Sequence, residues 1–349
     1  MPGFTGVIKV WSTMIRHSQW LVVLLWGAAG WFAHLTTAAG QDLLVANNTA
    51  SETESILRFS PTGECLGNFA VTDFRGGPVG LAFDPQGNLY VTNHGNNTIH
   101  RYSSAGADLG IFTRDGLNQP TGVALDHQGR LVACNYGDGS LCVYSPNGTL
   151  ISRVATGLLG PIALALDSRD NIFVSAPNLG GNSGVFRFAP DGQQRTLFAT
   201  GLDLDPRGLA FDRTGNLYVA NQQGNTVQCY SADGISLGTF ASVGLKDPFA
   251  LAFDASGDLY ISNQAGGAIR RYSASGEDLG TFAVVPGAFP NPVGLVFLPV
   301  PEPATVSILT VGLGFIRLIS LQRSNLALAK IRHNSDGCSR PHGDHLPEV

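Results

Sequence analysis

The sequence predicts an all-β fold, a β-propeller of six four-stranded blades. The first observation behind this is a repeat. PVGLAFDPQGNLYVTN, from Pro78 to Asn93, returns as PTGVALDHQGRLVACN from Pro120, PIALALDSRDNIFVSA from Pro161, PRGLAFDRTGNLYVAN from Pro206 and PFALAFDASGDLYISN from Pro248, and PVGLVFLPV begins a sixth copy at Pro292. The second is the period: the steps between prolines are 42, 41, 45, 42 and 44 residues, which marks an array of supersecondary units. The third is composition. With 44 Gly and 19 Pro in 349 residues and 13% charged side chains, the chain suits many short strands and tight turns better than long helices.

Each unit reads as four antiparallel strands. GLAF is a short apolar first strand. In the following DPQGN turn, Asp84 opens with an Asx-type bond, Pro85 presets φ and Gly87 supplies the left-handed φ. NLYVTN alternates with period two, as a half-buried second strand does. A Gly/Asn loop leads to a third strand ending in an aromatic (TIHRYS, SLCVYS, GVFRFA, TVQCYS, AIRRYS), and an SxxG or PDG turn leads to a fourth such as LGIF or LGTF. β-Solenoid repeats, the other option for an array, are shorter. The sixth copy stops after its first strand. Its missing partners stand at the start of the array: DLLVAN (Asp42–Asn47), SILRFS (Ser55–Ser60) and LGNFAV (Leu66–Val71). The sixth blade is therefore expected to be stitched from both ends, closing the ring and hiding edge strands.

Charge and targeting signals are unevenly placed. Between Gly40 and Pro299 there are 22 acidic and 14 basic residues, a net of −8. That excludes nucleic acid as the expected partner, since phosphate neutralisation needs clustered Lys and Arg. The start reads as an export signal over residues 1–40. Lys9, Arg16 and His17 precede the apolar run WLVVLLWGAAGWF (Trp20–Phe32), and small residues follow up to a cut near Ala39 or Gly40. An uncleaved anchor helix is the alternative, and Met14 is a second candidate start. The cysteines Cys65, Cys134, Cys142, Cys229 and Cys338 show no zinc-ligand spacing. Cys134 and Cys142 flank one predicted hairpin, either as a disulfide or as buried free thiols.

The pattern P-x-G-[LV]-A-[FL]-D-x-x-G-N-[LI]-Y-V-x-N resembles the NHL repeat. In broad form it is shared with six-bladed propellers of the gluconolactonase-like group. The resemblance covers about residues 41–299 and implies the architecture; such propellers include enzymes, binders and scaffolds. In this plan the P-x-G corner and the end of the second strand open on one face. The Asp turns lie on the other, so Asp84, Asp126, Asp167, Asp212 and Asp254 are read as turn-formers. The residues after each Pro would form the lip of the channel: Val79, Thr121, Ile162, Arg207, Phe249 and Val293. Gluconolactonase-like hydrolases typically place Asn, Asp or Glu at several such corners to hold a divalent metal, and amidating lyases of related fold use His and zinc. A hard cation takes about six oxygen ligands. This ring offers no carboxylate, amide or imidazole, and Arg207 would repel a cation. No catalytic residue, metal site or cofactor is therefore assigned.

The candidate ligand rim is this lip together with Asn93, His94, Asn135, Tyr136, Asn221 and Asn263, from the ends of the second strands. The asparagines serve either as a polar collar or as caps of their own loops. Arg207 can grip a carboxylate or phosphate, or pair with Asp205 or Asp203.

After the array comes VPEPATVSILTVGLGFIRLISLQRS, residues 300–324. Pro301-Glu302-Pro303 stops the last strand. The uncharged run Ala304–Ile316 would span about 20 Å as a helix, and its extension to Gln322 about 28 Å, against a ~30 Å hydrocarbon core. Val300, Pro301, Glu302, Pro303, Ala304 and Thr305, the apolar run and the basic end at Arg323 resemble a PEP-CTERM sorting signal. That resemblance implies an exosortase-type membrane protease as partner, and a membrane anchor before processing; a plain, permanent C-terminal anchor is the alternative. Two features depart from the family pattern: the basic cluster is diluted, and residues 324–349 add a polar tail with a disordered composition. The whole reads as an exported, cell-surface or matrix-associated binding module for a protein, peptide or polysaccharide. The alternatives are a metal-dependent lactonase-like hydrolase or lyase on the same propeller, and a purely structural surface component.

Overall fold

A computed structural model describes residues 40–48, 55–71, 76–177, 183–199, 205–287 and 290–299, with two short strands further on. All of the described secondary structure is β or turn. Five blades are continuous in sequence, and their four strands pair antiparallel in chain order. Blade 1 runs from Pro78 to Thr113, blade 2 from Pro120 to Ala155, blade 3 from Leu164 to Ala199, blade 4 from Pro206 to Ala241 and blade 5 from Pro248 to Val284. The sixth is the stitched blade the sequence predicts. Pro292–Phe297 pairs with Leu43–Asn47, in register from Leu43 opposite Phe297 to Ala46 opposite Gly294, with a bulge before Asn47 meets Pro292. Ser55–Phe59 and Cys65–Val71 complete it.

The six first strands pack side by side in a ring, each against the next, and the last against the first. A small third residue in the Pro corner, Gly in four blades and Ala163 and Ala250 in the other two, allows this. A Cβ on Gly80 would stand 2.3 Å from the carbonyl oxygen of Thr121, and one on Gly294 would stand 2.3 Å from that of Val79. Each interface between blades holds its own apolar cluster, six in all. In four of them an aromatic from the second strand, Tyr90, Phe173, Tyr218 or Tyr260, takes part; Val132 and Leu44 stand at that position in blades 2 and 6. Tyr218 meets Phe240 of its own fourth strand edge-on at 4.8 Å and Phe253 of the next blade at 4.9 Å. Phe173 and Tyr260 repeat the arrangement. Edge-to-face pairs of this kind add about 0.5–1.5 kcal/mol beyond their buried area.

A second contact recurs around the rim. The glycine of each outer turn lies on the preceding blade, in most cases on the backbone carbonyl of a fourth-strand Phe. A Cβ on Gly63 would come within 2.0 Å of the Phe282 oxygen, one on Gly106 within 2.1 Å of Phe69 and one on Gly148 within 2.4 Å of Phe112. The outermost strands themselves are bulged. Gly67, Gly110, Gly238 and Gly280 take φ between 89° and 97° where the pairing register slips. Such bulges twist an exposed edge away from further pairing.

Cys134 lies opposite Leu141, and Cys142 opposite Ala133. The two thiols therefore leave opposite faces of blade 2, and both are free and buried. Burial pushes the Cys134 thiol up to about 11.

The expected signal over residues 1–40 lies outside the described residues, apart from Gly40. The C-terminal residues, Val300–Val349, form a separate unit. Its described part is a pair of three-residue strands, Ser307–Leu309 and Leu318–Ser320. The motif from Val300 to Thr305, the remainder of the expected apolar helix and the polar tail lie outside the described residues. Among the described residues, no helix is long and apolar enough to cross a membrane.

The rim contact can be tested with a matched pair of substitutions. Gly106 and Gly110 share a positive φ of 83° and 89°, but only Gly106 is backed by a neighbour, since nothing lies within 4 Å of a Cβ at Gly110. Gly110→Ala is expected to cost about 1–2 kcal/mol from backbone strain alone. Gly106→Ala should cost about 1–3 kcal/mol more from the clash, read from urea midpoints.

Candidate functional site

The corner face is built by a bulge repeated at the start of five blades, all but blade 3. In blades 1, 2, 4 and 5 the register slips between the Pro and the fourth residue, as between Pro78 and Leu81. The backbone N–H of the third residue is left outside the ladder, and a second-strand hydroxyl accepts it in three blades. Thr92 takes the N–H of Gly80 at 2.7 Å, Ser175 that of Ala163 at 3.1 Å and Ser262 that of Ala250 at 2.8 Å. Bulges of this kind re-aim side chains. Here they turn the corner residues toward the axis.

Val79, Thr121, Ile162, Phe249 and Val293 line one axial cavity of about 90 Å³, together with the glycines and leucines of the same strands. The structure thus gathers five of the six predicted lip residues. The Thr121 hydroxyl is buried and donates to the Pro161 carbonyl at 2.9 Å. Arg207, the sixth, lies over the Phe249 ring, with its guanidinium carbon 5.5 Å from the centroid. It donates to the Asp205 carboxylate at 2.7 Å. Between the two acids the sequence left open, the described partner is Asp205.

The asparagines expected at the rim are drawn inside. Asn47, Asn93, Asn135, Asn221 and Asn263 are all at most 4% exposed. Asn47, Asn135 and Asn263 hold the loop that enters the blade. The Asn135 oxygen accepts from the Asn118 N–H at 3.1 Å, while its amide nitrogen donates to the Gly116 carbonyl at 2.9 Å and to Ser140 at 2.8 Å. Asn263 repeats this with Lys246 and Gly244. His94 and Tyr136 stay half-buried on the rim, with ring centroids 5.8 Å apart. Burial pushes the His94 imidazole down.

Sequence reasoning missed the polar members of the same ring. Gln222 and Gln264 occupy the repeat position of His94 and Tyr136. They form a ladder in which Gln222 donates to Gln264 at 2.5 Å and Gln264 to Asn291 at 2.9 Å. The repeat alignment already placed them there, but their contact across blades is not visible in it.

The opposite face carries the Asp turns. Each carboxylate accepts the N–H four residues on: Asn88 to Asp84, Arg130 to Asp126, Asn171 to Asp167, Asn216 to Asp212 and Asp258 to Asp254. A wider hollow of about 770 Å³ opens here, walled by Phe211, Phe253 and Phe297. Its carboxylates, Asp212 and Asp254, are committed to their turns. Among the described residues, no three His, Cys, Asp or Glu side chains converge as a metal ion would require.

Comparison with known proteins fits this geometry. Residues 76–102 match the NHL repeat. No curated protein matches the chain. Among solved structures, a chain of a nidogen/laminin complex is similar with a TM-score of 0.63 and 23% identity, over 74% of this chain and 99% of that one. A gluconolactonase from Xanthomonas campestris is similar with a TM-score of 0.51 and 22% identity, over 71% and 82% of the two chains. A catalytically inactive virginiamycin B lyase from Staphylococcus aureus, solved with quinupristin, gives 0.53 and 15%, over 74% and 86%. At these identities the likeness is one of fold.

The turn role of the aspartates predicts a pH dependence. Burial pushes the Asp212 carboxyl up, but hydrogen bonds from Thr214 and Asn216 more than offset this, leaving it below the usual carboxylate value. With a depressed folded pKa, its stabilisation is complete above the unfolded value of about 3.9 and is lost as pH falls through the folded one. Asp212→Asn should lower the urea midpoint at neutral pH, and the difference from the parent should shrink as the solution is acidified.

Proposed function

We propose that this chain is an exported propeller that binds a protein, peptide or polysaccharide at its corner face without carrying out chemistry on it. The observation that carries this reading is the make-up of the lip. Val79, Ile162, Phe249 and Val293 have no donor atoms for a metal, the Thr121 hydroxyl is already committed, and Arg207 brings a positive charge. A divalent cation, which takes six or more oxygens including carboxylates, does not fit these residues. The nidogen/laminin complex supports the reading, because a similar propeller fold occurs there in an assembly with another protein.

The second reading is a metal-dependent lactonase-like hydrolase or a lyase. The gluconolactonase and the virginiamycin B lyase favour it at the level of fold. Calorimetric titration with calcium and with zinc separates the two. Binding weaker than about 1 mM, with no lactone turnover, is expected. One-to-one binding tighter than that, accompanied by turnover, would establish the hydrolase.

Export rests on the first 40 residues, and surface association on the tail. In this reading an exosortase-type protease processes the chain at the motif from Val300 to Thr305, after a stage anchored in the membrane by the apolar run. All four tryptophans, Trp11, Trp20, Trp26 and Trp31, precede residue 40. Protein recovered from its native host should therefore emit only tyrosine fluorescence, and its intact mass should begin near Ala39 or Gly40. Tryptophan emission from the recovered protein would refute cleavage.

A further inference from the structure

The axial cavity discriminates between ligand chemistries, given the reading of the corner face as a binding mouth. Its volume of about 90 Å³ is below the roughly 150 Å³ of an apolar cavity that takes up benzene. A pyranose ring is bulkier than benzene and does not enter. A single branched aliphatic side chain does, and Val79, Ile162 and Val293 present apolar walls to it. The aromatic ring at the lip is also poorly placed to stack a sugar, because one face of Phe249 already carries the Arg207 guanidinium.

Arg207 supplies the polar half of the site. A guanidinium has five N–H donors in a planar fork. Asp205 is the one acceptor that Arg207 meets among the described residues, through a single bond of 2.7 Å. The side chain keeps about a fifth of its surface open, 21%, so an incoming carboxylate can reach it. From here a continuous polar track runs around the ring, from blade 4 to blade 6. The Gln222 N–H donates to the Asp205 carbonyl at 3.0 Å, and the side chains of Gln222, Gln264 and Asn291 follow in sequence. Side-chain amides carry both donors and acceptors, as a peptide backbone does.

We infer that the mouth binds the C-terminal end of a peptide whose last residue is a branched aliphatic one. The terminal carboxylate meets Arg207, the last side chain enters the axial cavity, and the preceding amides lie along the Gln222–Gln264–Asn291 track. A carboxylate alone and an aliphatic group alone are each only half of this ligand.

The test uses the full chain, immobilised, with two random hexapeptide libraries that differ only in ending as free acids or as amides. Mass spectrometry reads the retained peptides. The free-acid library should be enriched in Val, Leu or Ile at its last position. Amidating a selected peptide should weaken its binding at least about tenfold, the scale of one lost charge-assisted contact. Arg207→Gln should remove the difference between acid and amide, with its melting temperature checked against the parent. Because the acid–amide comparison is made on the unaltered protein, it stands even if that variant folds poorly. Isovalerate, which offers the carboxylate and the aliphatic group without a backbone, should compete only weakly.

Equal retention of amides and acids, no selection at the last position, or no retained peptide would overturn the inference. Binding of an oligosaccharide panel in place of peptides would also overturn it, but would leave the binding-module reading standing. Lactone turnover without either kind of binding would remove both.

Discussion

The ring depends on one pairing. Leu43–Asn47 and Pro292–Phe297, at opposite ends of the propeller sequence, form adjacent strands of one blade. Every other blade pairs strands that are close in the chain. Without this junction, blades 5 and 1 would each lose a neighbour, and the cluster of Leu43, Val45, Tyr260 and Ile269 would open to water. The core is a circle of six blade interfaces rather than a single centre, so its integrity requires closure. The junction also removes two sheet faces that would otherwise stay uncovered.

Closure in turn demands close approach at two radii. Near the axis, the first strands come together at the small third residue of the Pro corner, Gly in four blades and Ala in two. At the rim, the outer-turn glycines lie on carbonyl groups of the neighbouring blade. Between these, edge-on aromatic pairs fill the interface. The repeated letters of the sequence are accounted for in this way. Asp sets a turn, Gly allows an approach, Tyr or Phe fills an interface, and Asn ties the entering loop to the second strand.

Function is then to be sought where the repeat is broken. The position after each Pro varies from Val to Thr, Ile, Arg and Phe, and the bulge beneath it directs that varied residue to the axis. The position after each second strand varies as well, giving His94 and Tyr136 on one side and the Gln222–Gln264 ladder on the other. A symmetric frame thus carries an asymmetric mouth, with its guanidinium on blade 4 and its amides running from blade 4 to blade 6. This separation lets one architecture serve as enzyme, binder or scaffold.

The sequence by itself determined the blade number, the four strands of each unit, the split sixth blade and the lip residues. It could do so because a turn, an alternating strand and a Pro corner are local patterns, and repetition states each of them several times. It also assigned the aspartates to turns, since an Asx turn closes within five residues. Only the tertiary structure decided how side chains are used between blades. It took Asn135 and Asn263 from the rim into buried clamps, set Cys134 and Cys142 on opposite faces, and laid Arg207 on Phe249 beside Asp205. It also joined Gln222 to Gln264, 42 residues away. The physical reason is distance along the chain: contacts one full repeat apart depend on how the blades rotate about the axis, and that rotation has no local signature.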